Sequence, residues 1–176
     1  MTDQTLLSLK VALGRCQFGN GVFSTMPVQA GEPLFRLDGV WVRDPTTYTI
    51  QRDAERHVAP VGALWGMVNH NCHPNVAIDC VSWRMVAHSR IEPGQELTFN
   101  YLTTEWDMAS PFTCNCGAPH CPGLIRGFRH LDRGQRLAIR ALLSPYLAGR
   151  FHEGLEDGEL VAAPVRIRRK RSAANR

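Results

Sequence analysis

Three cysteines crowd one short stretch of the chain, Cys114, Cys116 and Cys121 in CNCGAPHC. Thiolates are soft ligands that suit zinc, and the C-x-C-x4-C spacing, with Gly117 and Pro119 permitting sharp turns, brings three sulfurs round one small ion. A tetrahedral site needs a fourth ligand, which this stretch lacks. Earlier, residues 69–75 read NHNCHPN, three Asn, two His, one Cys and one Pro directly after the apolar-leaning VGALWGMV. Asn and Pro are turn formers and His-Pro favours an extended residue before the ring, so a polar turn is one reading. The other is a binding site at the end of a buried run. Gly19-Asn20-Gly21 is either a β turn or a place where backbone approaches a ligand closely. Tyr101 closes QELTFNY, in which Leu97, Phe99 and Tyr101 alternate with polar residues.

These residues need elements to hold them. The first half predicts short strands at 7–13, 21–24, 32–42 and 48–51, separated by Gly19-Asn20-Gly21, Ala30-Gly31 and Asp44-Pro45. A short helical or irregular run at 61–68 precedes strands at 75–81 and 84–91, and the turn 92–94 leads into a strand at 95–101. Beyond the cysteines, Leu137, Ala138, Ala141 and Leu142 have helical spacing, and Ser144-Pro145 starts a second helix reaching Phe151. The fold class is mostly β with a small α part. Trp41 and Trp65 are expected in the core, and Cys16 and Cys80, without metal spacing, as small buried apolar residues.

The chain has 176 residues, 44% hydrophobic and 20% charged, which suits one domain with a tail. No apolar run approaches the ~20 residues of a membrane helix, and MTDQTLLSLK lacks a signal peptide's basic start and apolar stretch. The expectation is a soluble protein with no membrane partner, in which six cysteines are not a disulfide framework. The net charge of +4 is concentrated: RIRRKRSAANR, residues 166–176, contains Arg166, Arg168, Arg169, Lys170, Arg171 and Arg176 and none of the acidic groups. This reads as a solvated basic tail, with an acidic partner, nucleic acid or nuclear import as the functional alternatives. Glu153, Glu156, Asp157 and Glu159 read as an acidic linker before it.

Four segments in order, GNGVFS with VQAGEPL (19–34), NHNCHPN (69–75), GQELTFNY (94–101) and FTCNCGAPHCPGLIRGF (112–128), resemble the SET-domain protein-lysine methyltransferases. The resemblance covers about residues 8–130, and the last segment resembles the family's post-SET cysteine segment. It implies small curved β-sheets with a C-terminal pseudoknot, a post-SET zinc knuckle and C-terminal helices. The expected organisation is a SET domain over 1–110, a post-SET zinc-binding segment over 111–128, a helical segment over 129–152, and an acidic linker and disordered basic tail over 153–176.

The resemblance further implies S-adenosylmethionine as cofactor and a protein lysine as acceptor, on a histone or similar protein. It assigns Gly19, Asn20, Gly21, Asn69 and His70 to the cofactor, Asn69 through its side chain and His70 mainly through its backbone. Tyr101 matches the catalytic tyrosine, which orients amine and methyl. Phe99 lies where the channel's width is set and resembles members that add more than one methyl, and Tyr48 is either a channel aromatic or core. Cys72 supplies the fourth thiolate of one structural zinc with Cys114, Cys116 and Cys121, leaving His73 and His120 as bystanders. Phe112 and Leu124 are candidates for covering the cofactor or channel.

The chain departs from the family pattern at Gly66-Met67-Val68, where Arg-Phe-Ile is usual, at Asn71 for Ser, and at Asn100 for Asp. A SET-fold interaction module without catalysis, or an enzyme acting on a non-histone protein or a small amine, therefore stands as the alternative. Lys10 and Lys170 are the only lysines beside eighteen arginines, and Lys170 in RRKRS is a candidate for self-methylation. The composition inclines toward a bacterial cytoplasmic protein, with nuclear or host-delivered placement as alternatives.

Overall fold

The computed structural model describes residues 10–156, with side chains to residue 151. The basic tail, Lys170, Asp157, Glu159 and the start of the predicted first strand lie outside the described residues. Twelve short strands make up five small sheets among the described residues. β1 (Val11–Cys16) and β2 (Gly19–Ser24) form a hairpin that turns at Gln17-Phe18. β3 (Pro33–Arg36) pairs with β9 (Arg84–Ala87), which also pairs with β8 (Val76–Asp79). β4 (Gly39–Val42) and β5 (Ile50–Gln51) flank β6 (His57–Pro60). No helix among the described residues is long and apolar enough to cross a membrane.

The predicted strand at 32–42 is in fact two strands in different sheets. The chain leaves β3 at Leu37-Asp38, where the Leu37 amide donates to the Trp83 carbonyl, and re-enters as β4. Trp41 is a second correction. It is 47% exposed, because its strand side faces outward and its ring packs edge-on against Trp83 with the Arg52 guanidinium against both rings. Trp65, by contrast, is fully buried, and its indole N–H donates to the Asp38 carbonyl at 3.1 Å. Cys16 and Cys80 are only half-buried.

β7 (Asn69–His70) and β10 (Thr98–Phe99) form the one parallel pair among the described strands, with Asn69 beside Thr98 and His70 beside Phe99. Asn75 clamps the two segments: its side chain accepts from the Thr98 amide and donates to the Glu96 carbonyl, both at 2.8 Å. The strand predicted through Tyr101 ends at Phe99. Asn100 is buried and its Oδ1 accepts the Leu102 amide, capping a 3-10 turn over Tyr101–Thr103. Amide for acid at this position thus preserves the cap.

Apolar residues gather in two clusters. One, from Val11 to Phe99, lies among the sheets; the other joins Leu102, Ile125, Phe128, Leu131, Leu147 and Phe151. The second is built by β11 (Phe112–Thr113) on β12 (Leu124–Ile125), α1 (Arg133–Ile139) and α2 (Pro145–Glu156). Asp132 and Gln135 form a capping box at the start of α1, and Ser144 Oγ accepts the Leu147 amide at the start of α2. α2 runs to Glu156, past the predicted end at Phe151. Leu147 and Phe151, four positions apart, are both buried on it, and Glu153 and Glu156 lie within the helix.

Candidate functional site

The parallel pair places Asn69 and His70 beside the chain that leads to Tyr101, and this junction lies between the two apolar clusters. Asn69 Nδ2 donates to the Asn20 carbonyl at 3.0 Å and to Glu96 Oε1 at 2.7 Å, and lies 3.4 Å from Cys16 Sγ. The start of β2, the asparagine and the acid of GQEL are therefore one unit. Gly21 makes it possible, since a Cβ there would sit 2.4 Å from Glu96 Oε1 and 3.2 Å from Asn69 Nδ2.

His70 Nδ1 accepts the Tyr101 amide at 3.2 Å. A neutral imidazole that accepts at Nδ1 carries its proton on Nε2, and Nε2 lies 3.3 Å from Cys72 Sγ. Burial pulls the His70 pKa down to about 4, so the ring is neutral at physiological pH. The Tyr101 hydroxyl donates to the Val68 carbonyl at 2.9 Å. Burial first, then the charges of Glu96 and Glu105, push its pKa upward, which keeps it a neutral phenol. Its ring packs against Phe99, His70 and Phe112 with centroids 4.7, 5.1 and 6.1 Å away.

Two cavities meet at this tyrosine. The larger, about 470 Å³, is lined by Gln17, Phe18, Asn69, His70, Asn71 and the segment Ser110–Cys116, including Phe112. The narrower, about 20 Å³, is lined by Tyr48, Trp65, Val68, Phe99, Glu105 and Met108 among others. Thr47, Tyr101 and Ser110 belong to both walls, and Thr47 Oγ1 and Ser110 Oγ are 2.9 Å apart. Phe99 is buried, whereas Tyr48 is 53% exposed at the mouth, so Tyr48 is not core. Leu124 is 46% exposed and lines neither cavity; it pairs opposite Thr113.

Beside the larger cavity, the Sγ atoms of Cys72, Cys114, Cys116 and Cys121 all lie within 4.8 Å of one another. Four converging thiols with no other ligand type suit a closed zinc site. The Ala118 and Gly123 amides donate to Cys116 and Cys121 sulfur at 3.5 and 3.4 Å. Burial and the neighbouring thiols push the Cys72 thiol up, and burial chiefly raises Cys114 to about 11. A divalent cation at their centre reverses that penalty. His73 and His120 are not in the cluster; the His73 amide instead donates to Asn71 Oδ1 at 2.8 Å. NHNCHPN is thus both turn and site: Asn71 makes the turn, Asn75 fastens it, and Asn69, His70 and Cys72 face the cavity and the cysteines.

The SET-domain family model matches residues 19–102. This chain carries a SET domain. The match spans the hairpin, the asparagine segment and the strand leading to Tyr101. Similar proteins include the methyltransferase flvH of Aspergillus flavus, 45% identical over 82 residues, which are 45% of this chain and 44% of that protein. The H3 lysine-36-specific histone-lysine N-methyltransferase of Aspergillus fumigatus is 38% identical over 44% of this chain and 8% of its own length. Histone-lysine N-methyltransferase TRX1 of Oryza sativa subsp. japonica is 28% identical over 74% of this chain and 15% of its own. This chain therefore spans less than half of each of these relatives. Among solved structures, KRYPTONITE in complex with mCHH DNA, an H3(1-15) peptide and SAH superposes with a TM-score of 0.51 and 26% identity, over 65% of this chain and 29% of that one. Another KRYPTONITE complex, with mCHG DNA and SAH, gives 0.53.

Within the SET domain, Gly66 stands where the family usually has Arg. A Cβ at Gly66 would lie 2.5 Å from Pro60 Cγ, so here β6 occupies the space a side chain would need. Glu96, Glu105, Thr47 and Ser110 brace or line the site with no sign of it in the sequence, as do Gln17, Phe18 and Met108. Glu96 lies inside GQELTFNY, but its bond to Asn69 is tertiary. Glu105, Thr47 and Ser110 sit in polar stretches that look solvated.

Proposed function

We propose that this chain transfers the methyl group of S-adenosylmethionine to the ε-amine of a protein lysine. The observation that carries the proposal is the pair of cavities sharing Tyr101, one large with polar groups and one narrow and aromatic. A volume of about 470 Å³ is within the range of small-molecule sites, and the larger cavity offers an imidazole, side-chain amides and the Phe112 ring. The SAH in the KRYPTONITE structures is S-adenosylmethionine without its methyl, and the H3 peptide in one of them suggests histones as the first acceptors to assay. Bound there, S-adenosylmethionine supplies the electrophilic methyl that a neutral amine takes by in-line displacement.

In this reading Asn69 and His70 hold the cofactor, and Gly19, Asn20 and Gly21, which do not line the larger cavity, act on it through the Asn20–Asn69 bond. Glu96 fixes Asn69, and Phe99, Tyr48, Trp65 and Met108 form a dry sleeve for the lysine stem. Tyr101 acts by orientation and not as a base, since its raised pKa and its donation to Val68 leave its oxygen as a fixed acceptor for an amine N–H. Cys72, Cys114, Cys116 and Cys121 would hold one structural zinc, which ties the segment around Phe112 to the asparagine segment.

The test is transfer of labelled methyl from S-adenosylmethionine to core histones by zinc-loaded protein, beside Tyr101→Phe. Label in histones is expected. The variant should retain cofactor binding by calorimetry and lose on the order of 10²-fold in turnover, the scale of removing one preorganised polar group. Equal turnover in the variant removes the role given to Tyr101. Cofactor that does not bind the wild type removes the methyltransferase reading.

A further inference from the structure

Glu105 is the buried acid at the narrow cavity. It is 8% exposed and lines that cavity with Tyr48, Phe99 and Tyr101. Both of its hydrogen bonds fall on one oxygen: Oε1 accepts the Gln51 amide at 2.9 Å and the Thr104 hydroxyl at 3.0 Å. Both donors are neutral. Among the described residues no cation pairs with it, although a buried carboxylate ordinarily requires a partner.

Burial pushes its pKa up to about 7. Because this lies above the unfolded value, the fold progressively loses stability as pH rises from the ordinary carboxylate range to 7. Tyr48 and Tyr101 line the same cavity, and His57, buried with its Nδ1 unpaired, lies beside Gln51 on β6. From behind, where the Phe128 amide donates to the Glu105 carbonyl, Arg129 and His130 are both engaged by Asp107, and Asp53, two residues after Gln51, is paired with Arg56. A cation that reaches this carboxylate through the narrow cavity, walled by Tyr48, Phe99 and Tyr101, must be slender, which describes an alkylammonium.

Building on the methyltransferase reading, we propose that Glu105 is the receptor for the lysine ammonium: its carboxylate draws the charged amine into the narrow cavity and removes one proton before methyl transfer. An N–H bond of the ammonium breaks as an O–H bond forms on Glu105. The freed nitrogen lone pair then forms the N–C bond, and the electrons of the C–S bond remain on sulfur. The product leaves as a methylammonium, and the Glu105 proton passes to solvent once the cavity is vacated. Tyr101 orients the amine in this scheme, and Glu105 both selects a cation over a neutral side chain and neutralises it.

The experiment follows the glutamate side-chain carboxyls by 13C NMR in the full, zinc-loaded chain, using n-butylammonium as the probe and n-butanol as its neutral counterpart. One carboxyl, absent from Glu105→Gln, should titrate near 7, and n-butylammonium alone should lower that midpoint by a unit or more. A midpoint that ignores n-butylammonium overturns the proposal. Glu105→Gln keeps an acceptor for the Gln51 amide; Glu105→Asp assigns the signal if the first variant is unstable. In the histone assay, Glu105→Gln should lose turnover most below pH 8 and approach wild type toward pH 10, as the amine deprotonates by itself. A loss equal at all pH values is the structural outcome and also overturns it. An n-butylammonium response in a wild type that does not bind the cofactor removes the methyltransferase reading while leaving the cation site in place.

Discussion

Among the described residues, sixteen buried apolar side chains from Val11 to Phe99 hold the β region, and six from Leu102 to Phe151 hold the C-terminal lobe. The β region spreads its burial over paired strands, so its neighbouring ladders support one another. The lobe has one two-stranded ladder, two short helices and a ring of half-buried residues that includes Cys72 and Cys114. A core of six is too small to hold so irregular a segment alone, and small units of this kind ordinarily need a metal or a crosslink. In the proposed zinc-bound state, the four thiolates would contribute to the lobe what sheet pairing contributes to the β region. The larger cavity takes walls from both, so it exists only when both are folded.

Removing metal breaks this comparison most strongly. A chelator, or Cys72→Ser, should release the lobe while the β region stays folded, because structural zinc contributes on the order of 10–16 kcal/mol to small sites. Hydrogen exchange should show protection lost at 112–147 and retained at 22–37, together with loss of cofactor binding. Loss of protection throughout would mean the two regions fold as one. Phe128→Ala comes next. Phe128 is fully buried and touches the Trp106 and Phe151 rings and the Arg136 guanidinium, so about 3–5 kcal/mol is expected. Denaturant melts of the zinc-loaded variant should show that loss confined to the lobe.

On the β side, Gly66→Ala should cost about 1–3 kcal/mol by overpacking against Pro60. A melting temperature equal to wild type would show that β6 yields. The smallest effect belongs to Asp132→Ala, which removes the capping box of α1 and should cost about 1 kcal/mol. Its signature is faster exchange at Gln135 and Arg136 with cofactor affinity unchanged.

The two regions also differed in how far the sequence revealed them. Alternation in QELTFNY exposed the buried side of Leu97 and Phe99, and the ordered motifs brought Asn69, His70, Tyr101 and the four cysteines under suspicion. β6 went unseen because HVAP is four residues long, ends in proline and shows no alternation. The break at Leu37-Asp38 was hidden inside a continuous strand-like run, and is set by the tertiary bond from Leu37 to Trp83. Trp41 was misjudged because residue type predicts burial only on average, whereas the Arg52 and Trp83 arrangement makes a stable surface for it. Glu105 carries no local sign of burial at all. Gln51, which shields and binds it, comes from a strand 54 positions earlier in the chain.

The chain passes from one cluster to the other between Phe99 and Leu102, with Tyr101 in the first turn of the crossing. Each residue of a 3-10 turn rotates the chain by about 120°, so one inserted or deleted residue here would swing the phenol out of both cavities. The loop at 52–56, held by Asp53 and Arg56 at the surface, faces no such restriction. Length variation should therefore accumulate there and be excluded from 99–102, making the spacing of this crossing as much a functional specification as the tyrosine itself.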